Sequence, residues 1–110
     1  MKNPEEIYKV LLESGNAMAD AEYTYRVLND STKSVLAQLS LGAKNSQGCS
    51  VAEANLIALT SSVYRDHLLA TAEAARISER AKIRYYSSKT LSDLYRSQEA
   101  SERAAMGRAT

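Results

Sequence analysis

The 58 residues from Cys49 to Met106 contain neither glycine nor proline. These are the two residues that most disfavour the interior of a helix. The same segment is rich in alanine, leucine, glutamate and arginine, which lose little rotamer freedom on becoming helical. The sequence therefore predicts an all-α protein built around at least one long helix, and at 110 residues it predicts a single domain.

Cysteine, phenylalanine, tryptophan and long apolar runs are also scarce or absent. The single cysteine, Cys49, excludes an intramolecular disulfide and a cysteine-based zinc site, and it favours a reducing compartment. No apolar run approaches the roughly 18 residues that span a bilayer, and the N-terminus has no apolar signal-like region. We expect a soluble, cytoplasmic protein with no membrane partner.

Neither positive nor negative charge is in large excess. Fourteen basic and 13 acidic side chains give a net charge of +1, so net charge alone predicts no polyanionic partner. The charges are unevenly placed, because residues 1–75 carry −3 and residues 76–110 carry +4. Such a split suggests either antiparallel self-pairing or a basic end that meets an acidic partner.

No motif for catalysis is present. The sequence has no glycine-rich phosphate loop, no HExxH, no GxSxG and no carboxylates at metal-binding spacing. His67 is the only histidine, and we interpret it as a partly buried structural or interface residue. Cys49 is interpreted as an incidental thiol. We expect no enzyme activity, no cofactor and no metal.

The first helix is expected over about residues 4–41. Asn3 can cap it, Pro4 suits its first position, and two glutamates follow where the helix dipole favours anions. Gly15 is interpreted as a flex point rather than a packing requirement. A strict 4-3-4-3 spacing, typical of a coiled-coil seam, runs through Ile7, Leu11, Ser14, Met18, Ala21, Tyr25, Leu28, Thr32, Val35 and Leu39.

A loop is expected over residues 42–49, followed by a helix over about 50–86. Ser50 and Glu53 form the S-x-x-E capping box at its start. Thr90 and Asp93 resemble a second capping box, so a bend near 87–90, with a third helix over about 91–105, stays open beside a continuous helix. The apolar stripe of the second helix comprises Ala52, Leu56, Leu59, Val63, His67, Ala70, Ala74, Ile77, Ala81, Tyr85, Ser88, Leu91 and Tyr95.

These elements predict a long antiparallel helical hairpin that assembles as a coiled-coil-like bundle. At 1.5 Å per residue the first helix spans roughly 57 Å and an unbroken second one roughly 84 Å. The overhang needs another subunit, so we expect a homo-oligomer, most simply a dimer. The expected interface residues are Tyr25, Leu28, Val35, Leu39, Leu56, Val63, Ile77, Leu91 and Tyr95.

A basic segment lies in the second helix, where arginines recur every four residues. Basic ridges track phosphates and tyrosines stack on bases, so nucleic-acid contact is one hypothesis. The other is a solvated or protein-binding face, because Glu73 and Glu79 are spaced to pair with these cations. The residues concerned are Arg76, Arg80, Lys82, Arg84, Tyr85, Tyr86, Lys89 and Arg96.

The segments from Ser50 to Tyr64 and from Leu94 to Ala100 resemble a loose group of small helical proteins of tailed bacteriophages and prophages. Shared features are the Ser-x-x-Glu-Ala entry to the second helix, a later Ser-x-x-Tyr turn and an aromatic-Arg-Ser near the C-terminus. Members usually carry tryptophan where this chain has Tyr95. The resemblance implies a phage helical hairpin, often encoded near recombination genes, and implies no activity.

Three functions follow as hypotheses. The first is an interaction module that binds itself and a host or phage protein of DNA metabolism or defence. The second is a small DNA- or RNA-binding accessory protein for recombination or replication. The third is a structural or scaffolding piece of a virion.

Overall fold

The computed structural model describes residues 3–109 and shows an all-α protein. In this range the chain forms α1 (Pro4–Asp30), α2 (Thr32–Gln47), α3 (Val51–Leu59) and α4 (Ser62–Ala109). No strand occurs among these residues. The all-α expectation is confirmed, whereas several expected helix ends differ.

Helix α1 begins as expected and ends earlier than expected. The Asn3 side-chain oxygen accepts the Glu6 amide at 2.9 Å, and the helix runs unbroken through Gly15. The expected helix over 4–41 is instead divided at Ser31. There the hydroxyls of Ser31 and Thr32 both donate to the Leu28 carbonyl, at 2.9 and 3.2 Å. Two adjacent side chains thus compete for one backbone acceptor, which favours a turn over a regular helix.

The loop between α2 and α3 is shorter than the expected 42–49. Helix α2 continues through Gly42 and ends at Gln47, and Gly48 takes a left-handed conformation with φ of 63°. Its amide donates to the Lys44 carbonyl at 3.0 Å, which closes the helix end. Gly48, not Gly42, is therefore the glycine whose freedom this turn uses.

A break at Thr60 and Ser61 separates α3 from α4 and interrupts the helix expected over about 50–86. It lies at the Ser-x-x-Tyr turn, Ser61 to Tyr64, that the resemblance implies. At the start of α3 the expected cap is present, since the Ser50 hydroxyl accepts the Glu53 amide at 3.2 Å. At its end the Ser61 hydroxyl donates to the Ala58 carbonyl at 2.7 Å and accepts the Tyr64 amide at 3.2 Å. One serine thus terminates α3 and caps α4.

Helix α4 continues through 87–90, where a bend was one of two open expectations. The Ser88 and Thr90 hydroxyls donate to the carbonyls four residues earlier, Arg84 and Tyr86, at 2.8 and 2.9 Å. Hydroxyls that donate to a carbonyl of the preceding turn in this way leave the backbone hydrogen bonds of the helix in place. The helix extends to Ala109, beyond the expected end near 105.

The chain divides into two compact units. One contains the residues up to Asp20 together with those from Glu79 onward, and the other is Ala21–Ser78. In the second unit α2 packs against α3, with Ala43, Ala54 and Ala58 buried. The Thr32 hydroxyl lies 3.0 Å from His67 Nε2, which gives the histidine a structural contact.

In the first unit, as in the second, small side chains are the buried ones. Ser14 and Ser92 are buried, and the Ser14 hydroxyl donates to the Leu11 carbonyl at 3.1 Å. A methyl group built on Gly15 would lie 3.3 Å from Cε2 of the half-buried Tyr85 ring. Gly15 therefore makes room for an aromatic ring, which differs from the expected role as a flex point.

The least exposed positions show which helix faces turn inward. On α1 and α2 they include all ten positions of the expected 4-3-4-3 seam, from Ile7 to Leu39. On α4 the inward face is shifted by one residue at four points of the expected stripe. The four expected residues are exposed, and the next residue is less exposed in each case: Tyr64, Thr71, Ser78 and Ser92 replace Val63, Ala70, Ile77 and Leu91.

The Gly15–Tyr85 contact yields the first prediction. Gly15→Ala in a helix interior should stabilise by about 1 kcal/mol through helix propensity alone. Beside Tyr85 we expect most of this gain to be lost, because the ring must shift to admit the methyl group. In a Tyr85→Leu background the full gain should return. Urea unfolding of the four proteins measures this coupling, and an equal gain in both backgrounds would exclude it.

Candidate interaction surface

The expected basic contact residues of α4 are partly neutralised by acids of the same helix. Arg76 Nε donates to Glu73 Oε2 at 2.9 Å, and this hydrogen bond, together with the carboxylate charge, raises the pKa of Arg76 above its ordinary value. Lys82 Nζ lies 3.6 Å from Glu79 Oε1. Both pairs have the three-residue spacing that brings side chains together on a helix.

The remaining cations are exposed: Arg80, Arg84, Lys89 and Arg96. The acids nearest in sequence, Glu79 and Asp93, are exposed too. Exposed ion pairs contribute little to stability. These side chains can therefore pair with groups of a partner at little cost to the stability of the fold. Exposed charges of both signs therefore occur along α4, which is what the hypothesis of a solvated or protein-binding face expects.

The tyrosines divide into two groups. Tyr85 is half-buried, and its ring meets that of Tyr86 edge-on, with centroids 5.3 Å apart. Tyr86 is 56% exposed, so of this pair only Tyr86 presents most of its ring to a partner. The other half-buried tyrosines are Tyr25, Tyr64 and Tyr95, and the other exposed ones are Tyr8 and Tyr23.

The expected interface residues divide in the same manner. The half-buried members already pack against the rest of their own chain, and they are Tyr25, Leu28, Val35, Leu39 and Tyr95. The exposed members are open to another molecule, and they are Leu56, Val63, Ile77 and Leu91. The second group therefore offers the larger accessible surface for new contacts.

In the unit Ala21–Ser78, one group of exposed apolar residues lies on α3 and at its junction with α4. Leu56 and Leu59 are 62% and 49% exposed at the i and i+3 positions of α3, and Val63 is 56% exposed in the first turn of α4. The inward side of α3 is instead occupied by Ala54 and Ala58, each 1% exposed. Small residues face the neighbouring helix, and the large ones are left outside.

A second exposed stripe lies on α4, and it includes the expected interface residue Leu91 and the expected contact residue Tyr86. We call it the outer stripe, defined by Ile83, Tyr86, Ser87, Thr90, Leu91 and Leu94. Its members follow the i, i+3, i+4, i+7, i+8, i+11 spacing of one helix face, and all but Leu94 line one open groove. Ile83, Ser87, Thr90 and Leu94 are not among the expected site residues, although their helical spacing is a signal that the sequence carries.

Cys49 and His67 have local structural partners. The Cys49 thiol is half-buried and lies 3.8 Å from the Ala43 carbonyl, at the end of α2. In the described range of 3–109, no three histidine, cysteine or acidic residues come together as metal ligands would. Across the same range, no helix combines the length and apolarity that crossing a bilayer requires.

No large side chain in the described part of the chain is fully buried. Its buried residues are alanines and serines, and many large apolar side chains are exposed in both units.

Comparison of the chain with protein-family models, with curated proteins and with solved structures finds no match. The resemblance to small phage proteins therefore stays a prediction.

Proposed function

We propose that this protein is an all-α interaction module that associates with a second copy of itself and binds another protein. The observation that carries the proposal is the placement of side chains by size. The buried residues of the described chain are alanines and serines, whereas several leucines, two isoleucines and Tyr86 are exposed on α3 and α4. Exposed apolar patches of this kind mark protein interaction sites.

The energetics favour covering these residues. Burial of one leucine, isoleucine or valine side chain contributes about 1.5–3 kcal/mol. The buried residues of the described chain are four alanines and three serines, which supply little of this stabilisation. A partner that covered three or four of the exposed residues would add an amount comparable with the whole stability of a small domain.

The proposal includes an antiparallel helical hairpin as the protomer and a coiled-coil-like dimer as the assembly. It places the protein in the cytoplasm of a bacterial host, with a host or phage protein of DNA metabolism or defence as the partner. The support for this setting is the resemblance of the 50–64 and 94–100 segments to small phage proteins. A scaffolding role in a virion would use the same apolar surfaces.

Self-association is tested by light scattering at micromolar concentration. We expect a mass of at least twice the 12.1 kDa chain, since a second copy can cover exposed apolar side chains such as Leu56, Ile83 and Leu91. Circular dichroism of the same samples provides the control for folding. A mass of one chain with full helicity would exclude self-association under these conditions.

Nucleic-acid binding is the second candidate, favoured by the exposed Arg80, Arg84, Lys89 and Arg96 beside the exposed Tyr86 ring. It requires affinity that falls steeply with salt, because binding releases counterions. We rank it below protein binding, since Arg76 and Lys82 are already paired with acids.

We expect no gel shift of DNA at low-micromolar protein in about 150 mM salt, where non-specific contacts are weak. A shift there would reverse the ranking if Arg76→Gln, Arg80→Gln and Arg84→Gln together abolished it. The matched control removes three exposed cations elsewhere, by Arg26→Gln, Lys33→Gln and Arg65→Gln. Equal loss in both triple variants would indicate only a general charge effect.

A further inference from the structure

We infer that the outer stripe of α4 is the surface that binds the second copy, with the two α4 helices antiparallel and a twofold axis between residues 87 and 90. The inference rests on the proposed self-association and specifies the surface and orientation.

The outer stripe is the most exposed apolar surface of its unit that follows one helix face. Ile83, Tyr86, Leu91 and Leu94 are 65%, 56%, 68% and 60% exposed. The stripe covers three turns of helix, roughly 17 Å. Thr90 adds little polarity, because its hydroxyl already donates to the Tyr86 carbonyl at 2.9 Å.

The stripe is complementary to its own reversed copy. A closed dimer uses the same surface on both chains, so residue i meets residue j and j meets i. With the axis between residues 87 and 90, Ile83 of one copy lies level with Leu94 of the other. Tyr86 likewise lies level with Leu91, and Ser87 with Thr90. Large apolar residues thus meet at both ends.

The small residues fall at the centre of the stripe, where the helices cross. Helices pack 8–10 Å apart, depending on the side chains at the contact. Ser87 and Thr90 at the crossing permit a close approach, and Ile83 and Leu94 then interdigitate on either side. A self-complementary arrangement of this kind favours a second copy over an unrelated helix.

Charge selects the antiparallel orientation. With the axis between residues 87 and 90, residues 75–84 lie level with residues 93–102. The first segment carries Arg76, Glu79, Arg80, Lys82 and Arg84 for a net +3, and the second carries Asp93, Arg96, Glu99 and Glu102 for a net −2. Antiparallel pairing brings the basic end beside the acidic end. Parallel pairing in register would place like charges together, which is unfavourable.

Disulfide crosslinking tests the orientation in a Cys49→Ser background. Ser87→Cys lies beside the axis, so the two copies should come within the Cα separation of about 4.4–6.8 Å that a disulfide needs. Ser101→Cys is the matched control: it is also an exposed serine, two heptads further along the same helix. In the antiparallel dimer its two copies lie roughly 38 Å apart along the axis.

We expect Ser87→Cys to form a covalent dimer under mild oxidation and Ser101→Cys to stay uncrosslinked. Crosslinking of both would indicate a parallel pair and would overturn the inference. If neither crosslinks while light scattering gives a dimer, another surface binds and only this inference fails. If the protein is a monomer, the proposed self-association fails with it.

Charge insertion provides a second, independent readout of the same surface. Ile83→Glu should raise the dimer dissociation constant at least about tenfold, because a carboxylate would be buried opposite Leu94. Leu12→Glu is the control, since Leu12 is an exposed leucine of α1 in the same unit. Helicity should be retained in both, as both side chains are exposed. Equal weakening by the two substitutions would overturn the inference.

Discussion

The contact of small inward-facing side chains is the constraint on which the rest of the structure depends. Ala54 and Ala58 lie on the buried side of α3, and Ser14 and Ser92 are buried in the other unit. Interiors made of such residues let helices approach closely, as Gly15 does for the Tyr85 ring. The larger Leu56, Ile83 and Leu91 lie on other faces of the same helices and are exposed.

This arrangement links packing to function through what each face can bury. An alanine buries little apolar area, so the inward faces fix the geometry of the helices more than they stabilise them. The large side chains outside hold most of the stabilisation that burial could still supply. A protein with this distribution gains stability when a partner covers its outer faces, which is the physical basis of an interaction module.

The sequence predicted the helical class, the N-terminal caps and the inward seam of α1 and α2, because these depend on local spacing. It predicted less well which face of α4 turns inward. Hydrophobicity favoured Ile77 and Leu91, yet the structure buries Ser78 and Ser92. Spacing alone does not decide between two adjacent stripes on one helix, since the choice depends on how closely the neighbouring helix approaches.

Hydroxyl residues explain the differences in helix ends. Ser31 and Thr32 share the Leu28 carbonyl, and Ser61 bonds both forward and back, so α1 and α3 end there. Ser88 and Thr90 each bond one carbonyl of the preceding turn, and α4 continues. The residue types are the same in both cases. What differs is the competition for backbone partners, which composition does not reveal.

The central claim is that the exposed apolar faces are covered by association and that this association stabilises the fold. Thermal unfolding followed by circular dichroism over an approximately 100-fold range of chain concentration tests it most directly. If a dimer is the stable folded species, its midpoint temperature rises steadily with concentration by mass action. A midpoint that stays constant over this range would contradict the account, because it would show that a single chain carries the whole stability of the fold.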